Sequence, residues 1–179
     1  MKRLSLVALF VLTLASPAAA QRRVPDAEMW AFGADLGALL PTEDALDNTI
    51  DLQGFGEYYL TPRWGIRMAL GWANPSFGES DRSLREIRIT ADVTYNWERG
   101  QTHPFAGVGI GAFMLQPKRN GDDVGGSRNE AGMNLFGGLE YFTSRTVSVK
   151  GELRFQIVGS DQVTDMHGLV LSIGLKKYF

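Results

Sequence analysis

Few residues in this sequence could do chemistry, and their spacing argues against most of the reactions they suggest. There are two histidines and no cysteine. Without a thiol there is no thiolate ligand, no disulfide framework and no cysteine nucleophile. His103 falls in a short polar connection and His167 at the approach to the last apolar segment. They are expected at opposite ends of the molecule, at the surface or an interface, so no metal between them is expected. The stretch GVGIGAF (residues 107–113) has the wrong spacing for a phosphate-cradling loop. NGDDVGG (residues 120–126) offers Asp122 and Asp123 but lacks the ligand run of a calcium loop and reads as a solvated loop. Ser160 and Asp161 are chain neighbours, which establishes no catalytic triad. No cofactor and no catalytic residue are expected.

The remaining candidates are charged. Asp35, Glu57, Glu86, Asp92, Glu140 and Glu152 could act with Arg67, Arg88, Lys150 and Arg154, since carboxylates beside cations can exchange protons. Each of them lies in a segment where apolar residues occupy alternate positions. Their role therefore turns on which face of a sheet they occupy.

Those segments dominate the chain. Period-2 alternation predicts eight strands, at residues 30–40, 49–60, 64–72, 86–97, 104–114, 131–142, 147–157 and 168–179. The third is the clearest: Trp64, Ile66, Met68, Leu70 and Trp72 oppose Gly65, Arg67, Ala69 and Gly71. The connections are sorted by length. PTEDALDN, NPSFGESDRS, QPKRNGDDVGGSRN and GSDQVTD are long and polar, while TPR, ERGQTH and SRT are shorter and lie between them. Two hairpins echo each other: EYYLTPRWGIR and EYFTSRTVSVK each carry an inward glutamate, a tight turn and an inward cation.

The chain has 179 residues, a formal charge of −2 and a pI near 5.7, enough for one closed barrel and wrong for a nucleic-acid partner. Residues 1–20 read as a signal peptide: Lys2 and Arg3, an apolar run from Leu4 to Ala15, and Ala18 and Ala20 at an A-x-A site. Residues 21–26 form a short periplasmic tail, leaving residues 27–179 for the barrel. The leader's apolar run is too short for a comfortable span, and no long apolar run follows.

Alternation alone does not say which face is buried. Three features put the apolar face outside, against lipid. Aromatic residues cluster at strand ends: Trp30, Tyr58, Trp64, Tyr95, Trp97, Tyr141 and Phe179 near the short turns, Trp72 and Phe155 near the long loops. Two such girdles mark the headgroup levels of a bilayer. The opposite face mixes glycines with both signs of charge, which suits a narrow lumen where glycine makes room for Arg67, Arg88, Lys150 and Arg154. Their expected counterions are Glu57, Glu86, Glu140 and Glu152, a structural ladder and not a catalytic one. The third feature is a chain that starts with an export signal and ends on phenylalanine.

At these residues the sequence resembles the outer-membrane β-barrel domain family, the small OmpA/OmpX-like barrels of Gram-negative bacteria. The resemblance covers residues 27–179 and implies an all-β fold, an eight-stranded antiparallel up-and-down transmembrane barrel. It implies that Leu171, Ile173, Leu175 and Phe179 form a C-terminal signal read by the barrel-assembly machinery, with Lys177 and Tyr178 departing from the family's pattern. It also implies outer-membrane lipids as neighbours, a monomeric state, a structural or surface-interaction role with long loops open to an unknown ligand, and no wide pore. Some such barrels are lipid-modifying enzymes with a lipid-facing serine–histidine pair, but Gly168 and Leu169 follow His167 where a His-x-Ser motif would stand. A second alternative is a secreted, soluble lipocalin-like barrel binding an apolar ligand. It would require Ile66, Met68 and Leu70 inside and Arg67 outside.

Overall fold

The computed structural model describes residues 25–43, 45–78, 81–98, 100–159 and 167–179. The expected leader, residues 21–24 of the tail and the Ser160–Asp161 pair lie outside them. The strands are β1 (Trp30–Pro41), β2 (Thr49–Tyr59), β3 (Trp64–Ala73), β4 (Arg82–Asn96), β5 (Thr102–Arg119), β6 (Asp122–Asp123), β7 (Arg128–Phe142), β8 (Val147–Val158) and β9 (Gly168–Tyr178). Eight are long and β6 is a two-residue addition to β5. Each long strand pairs antiparallel with its chain neighbours, and β9 returns to β1, for example Leu36 opposite Ile173. The sheet is therefore a closed meander with no free edge around the barrel wall.

The alternation resolves into two faces. Ile173, Ile110 and Leu135 are 68%, 66% and 63% exposed, while Arg67 and Glu57 are 1% and 0% exposed. Ile66, Met68 and Leu70 point outward on β3 with Arg67 between them pointing in. The lipocalin-like alternative is thereby excluded, since a soluble monomer does not expose apolar surface on this scale. A ten-residue strand such as β3 is about 33 Å long. Tilted by ~40° it rises roughly 25 Å, the height of the apolar band of a membrane barrel.

Three local differences from the expected strands have physical causes. β4, β5 and β7 run on past the apolar girdle, with Arg82 opposite Arg119 and Leu115 opposite Arg128. Residues 82–83, 116–119 and 128–129 were expected in loops because alternation stops there. Beyond the lipid nothing demands an apolar face, yet the ladder continues. Asn120 and Gly121, at φ 53° and 87°, then turn β5 back into β6. This is the positive-φ pair that Asn-Gly supplies in a two-residue hairpin, at the head of NGDDVGG. Finally, His103 is not in a turn or at a surface. It is the second residue of β5, buried and opposite Glu140, because the ladder with β7 extends down to Thr102–Tyr141.

The echoed hairpins fold alike. Thr61 Oγ1 accepts hydrogen bonds from the Arg63 and Trp64 amides at 3.3 and 3.0 Å. Ser144 Oγ does the same for Thr146 and Val147 at 3.3 and 3.1 Å. A hydroxyl that caps its own turn fixes the reversal. Two residues of register then place Glu57 opposite Arg67 and Glu140 opposite Lys150.

Candidate functional site

The lumen is the place where charged side chains converge, and it is built in three layers. At the long-loop end Leu39, Ala73, Leu84, Phe113, Leu115, Val158 and Val170 pack as an apolar plug. Leu46, from the β1–β2 loop, is part of it, and Phe77 of the β3–β4 loop packs against it. At the short-turn end Ala31, Tyr59, Phe142 and Tyr178 form a second plug, with Met29 against it. Charge occupies the space between.

Glu152 is the hub of that middle layer. Its carboxylate accepts from Arg67 at 2.9 Å, Lys150 at 2.8 Å and Arg154 at 2.9 and 3.1 Å. Lys150 also reaches Asp35 at 2.9 Å, and Arg154 lies 3.7 Å from Asp92. Toward the long loops, Arg88 bridges Asp51 at 2.6 Å and Glu86 at 3.1 Å, and Gln156 donates to Glu86 from across the barrel. Toward the short turns, Lys176 holds Glu57 at 2.6 Å and Glu140 at 3.4 Å and donates to the Tyr59 hydroxyl at 2.5 Å.

All ten charged residues singled out from the sequence face this lumen and are buried. The counterion scheme differs in part. Glu140 faces Lys150 in register, but its ion pair is with Lys176. Lys150 instead leans to Asp35 and Glu152. Sequence reasoning missed Lys176, Tyr59 and Tyr178, and it set Asp51 on the polar face of its second strand without giving it a partner, although all four sit at inward parity. Seven buried carboxylates face five buried cations among the described residues. Neutral donors make up part of the deficit: Thr94 to Glu57 at 2.5 Å, Tyr178 to Glu140 at 2.6 Å, Asn134 to Asp92 at 2.9 Å, and Ser148 to Glu140. Satisfying each charge in this way is what makes a buried ionic network tolerable.

Inward phenylalanines complete the packing, and here the expectation about glycine is corrected. Arg67 lies between the Phe55 and Phe136 rings at 4.7 and 4.8 Å, and Lys150 over Phe55 at 4.4 Å. These contacts give the cations a partner that costs no further desolvated acid. The glycines opposite make room chiefly for rings and carboxylates. A Cβ on Gly107 would stand 2.3 Å from Phe136, and one on Gly33 2.3 Å from Phe55. Only Gly71 makes room for a cation arm in the expected way, 2.4 Å from Arg88.

The outward aromatics form the expected groups. Phe179, Phe32, Trp30 and Tyr58 make a chain of ring contacts at the short-turn end, and Trp64, Tyr95 and Trp97 make another. Trp72, Tyr141 and Phe155 also face outward. Leu171, Ile173 and Leu175 of β9 and Phe179 just after it share the outward face, and the Phe179 amide donates to the Trp30 carbonyl at 2.9 Å. Tyr178, one place off in the expected pattern, is inward and part of the plug.

An inside-out barrel with a packed ionic lumen calls for comparison with known proteins. The family model described as outer membrane protein beta-barrel domain matches residues 5–179. The chain belongs to that family. It is an integral barrel of the bacterial outer membrane, and its lumen has no wide pore. No curated protein matches it in sequence. Among solved structures it is similar to Neisserial surface protein A, at 15% identity and TM-score 0.67, over 84% of this chain and 96% of that one. It is similar to the outer membrane protein OprG from Pseudomonas aeruginosa, at 12% identity and TM-score 0.66, over 86% and 97%. It is also similar to the outer membrane enzyme PagL, at 16% identity and TM-score 0.54, over 82% and 98%. Likeness at these identities establishes the shared fold.

Proposed function

We propose that this family member is a non-catalytic, monomeric barrel that offers its long-loop end as an interaction surface. The observation that carries the reading is the lumen closed by side chains at both ends. Among the described residues each buried charged side chain of the lumen lies in an ion pair, which supports a structural role over a catalytic one. The ten lumen residues from Asp35 to Arg154 are structural in this reading, holding the wall in register. The aromatics Trp30, Tyr58, Trp64, Trp72, Tyr95, Trp97, Tyr141 and Phe155 set the barrel's height in the bilayer. Leu171, Ile173 and Leu175 of β9, with Phe179 after it, serve as the assembly signal, and residues 1–20 are cleaved before Gln21.

The test joins three measurements, two on the full mature chain and one on membranes that contain it. It should migrate differently on a gel before and after boiling, as a closed barrel in detergent does. In a planar bilayer it should carry no steady current, and membranes with and without it should give the same lipid profile. A sustained conductance, or a changed acyl pattern in the lipids, would overturn the reading.

A further inference from the structure

Two glycines of the lipid-facing wall differ from those of the lumen. Inside, a Cβ on Gly33 or Gly107 would strike a ring. Outside, a Cβ on Gly54 of β2 or Gly151 of β8 would meet no atom within 4 Å beyond its chain neighbours. Glycine weakens a strand interior, and it recurs where a ligand comes close to the backbone. No side chain of the protein needs the space in front of these two.

The register sets them in one furrow. On the outward face Gly54 pairs with Ala34, Ala34 with Leu175, and Leu175 with Val149. One step toward the long loops, Leu52 pairs with Leu36, Leu36 with Ile173, and Ile173 with Gly151. A cavity of about 650 Å³ lies along these two rows, walled by Leu36, Leu52, Ile173, Leu175, Val149 and Tyr141. A second depression of about 410 Å³ shares Ala34 and Leu52 with it and runs on past Gly54 to Leu70 and Trp72. Because the strands of such a barrel tilt by ~40°, a row across them climbs the wall. It climbs here from Tyr141 and Thr143 at the short-turn end to Trp72 at the long-loop end.

A cation stands at the lower mouth. Lys177 is the one outward residue of β9 that is not apolar. It lies two residues from Leu175 on the same face, roughly 7 Å along the strand, opposite Phe32 and Val147 and within 5.7 Å of the Phe179 ring. Arg145, also exposed, follows Thr143 in the turn that closes the furrow below. Neither cation forms an ion pair among the described residues.

We infer that the furrow is a binding site for one anionic glycerophospholipid of the short-turn leaflet, with an acyl chain along Ala34, Gly54 and Gly151 and the phosphate at Lys177 and Arg145. The apolar floor opens only toward hydrocarbon, which selects a chain. The cations sit among the ring side chains of the headgroup level, which selects a charged head on that chain. The site lies on the barrel wall. It depends on the outer-membrane setting and is independent of the loop-end surface proposed above.

The test uses the full mature chain in phosphatidylcholine nanodiscs containing a minor share of dipalmitoyl phosphatidylglycerol, with native mass spectrometry counting the lipid retained on release. One phosphatidylglycerol should be retained in preference to phosphatidylcholine. K177Q should weaken its retention by about fivefold, and K177Q/R145Q by roughly 25-fold. G54L/G151L, which fills the floor, should abolish it, while I110A, on β5 outside the furrow, should leave it unchanged. Equal retention of the two lipids would overturn the inference, as would full retention by G54L/G151L. An equal loss in I110A would reduce the site to general contact with the bilayer and overturn it too. So would retention of palmitate in place of the phospholipid, which would mark a groove for a free fatty acid. Heat-shift migration of each variant reports the barrel separately, and the lysine and arginine variants leave the wall unaltered, so a misfolded glycine variant does not remove the test.

Discussion

The two ends of the lumen are closed by different materials. The long-loop plug is mostly aliphatic, built from residues such as Leu39, Leu84 and Leu115, with Phe113 and loop residue Leu46 completing it. The short-turn plug is aromatic and carries hydroxyls: Tyr59 and Tyr178 lie 3.3 Å apart, oxygen to oxygen, and touch Lys176 and Glu140. One end is held by volume alone. The other is wired into the charged layer, so the same loss of atoms there also strands a charge. The difference follows from chain length at the rims. Short turns supply no loop residue to fold inward, so the strand ends themselves must fill the mouth. Long loops can contribute Leu46 and Phe77 from above.

That contrast can be broken by substitution. The largest effect is expected for Lys176→Met, about 3–5 kcal/mol, because Glu57 and Glu140 lose their shared cation. The urea midpoint for unfolding from phosphatidylcholine vesicles reads it, and an unchanged midpoint would mean the wired plug is no such thing. Leu39→Ala should cost about 2–5 kcal/mol by the same assay, as a cavity with no polar loss. Its effect should add to that of Lys176→Met, because the two lie at opposite ends. Tyr178→Phe removes one hydroxyl that donates to Glu140 and should cost about 1.5–3 kcal/mol. Combined with Lys176→Met it should fall short of additivity, since both act on one carboxylate. The smallest effect is expected for Lys177→Gln, under ~0.5 kcal/mol. That lysine is exposed, with its ammonium 5.7 Å from the Phe179 ring. A large effect there would put the register of β9 in doubt.

The pair Lys176 and Lys177 shows how much was legible. The terminal phenylalanine sets outward parity for residues 171, 173, 175, 177 and 179, so an inward Lys176 was there to be read. Adjacent lysines look alike until a partner is in view, here Glu57 and Glu140 for Lys176. Tyr59 and Phe55 were missed for the related reason that apolar character suggested no inward role. In this lumen apolar side chains plug both ends, and rings such as Phe55 and Phe136 also pack among the charges in the middle. His103 was misplaced because a strand's end is set by its neighbour's ladder, here Tyr141 and Glu140 of β7.

That Arg67 and Ile66 lie on opposite faces was determined by the sequence alone, because side-chain parity is a local property of an extended chain, and the aromatic strand ends and mixed charges say which face meets lipid. So were eight strands, from the period of the alternation, and the antiparallel pairing of those joined by the short turns. Which charges meet was decided only by the tertiary structure. Arg67 of β3 reaches Glu152 of β8, and Gln156 of β8 reaches Glu86 of β4. These strands are not neighbours in the sheet. The stagger with which the sheet closes sets the heights at which their side chains cross the lumen, and no segment of the chain carries that quantity by itself.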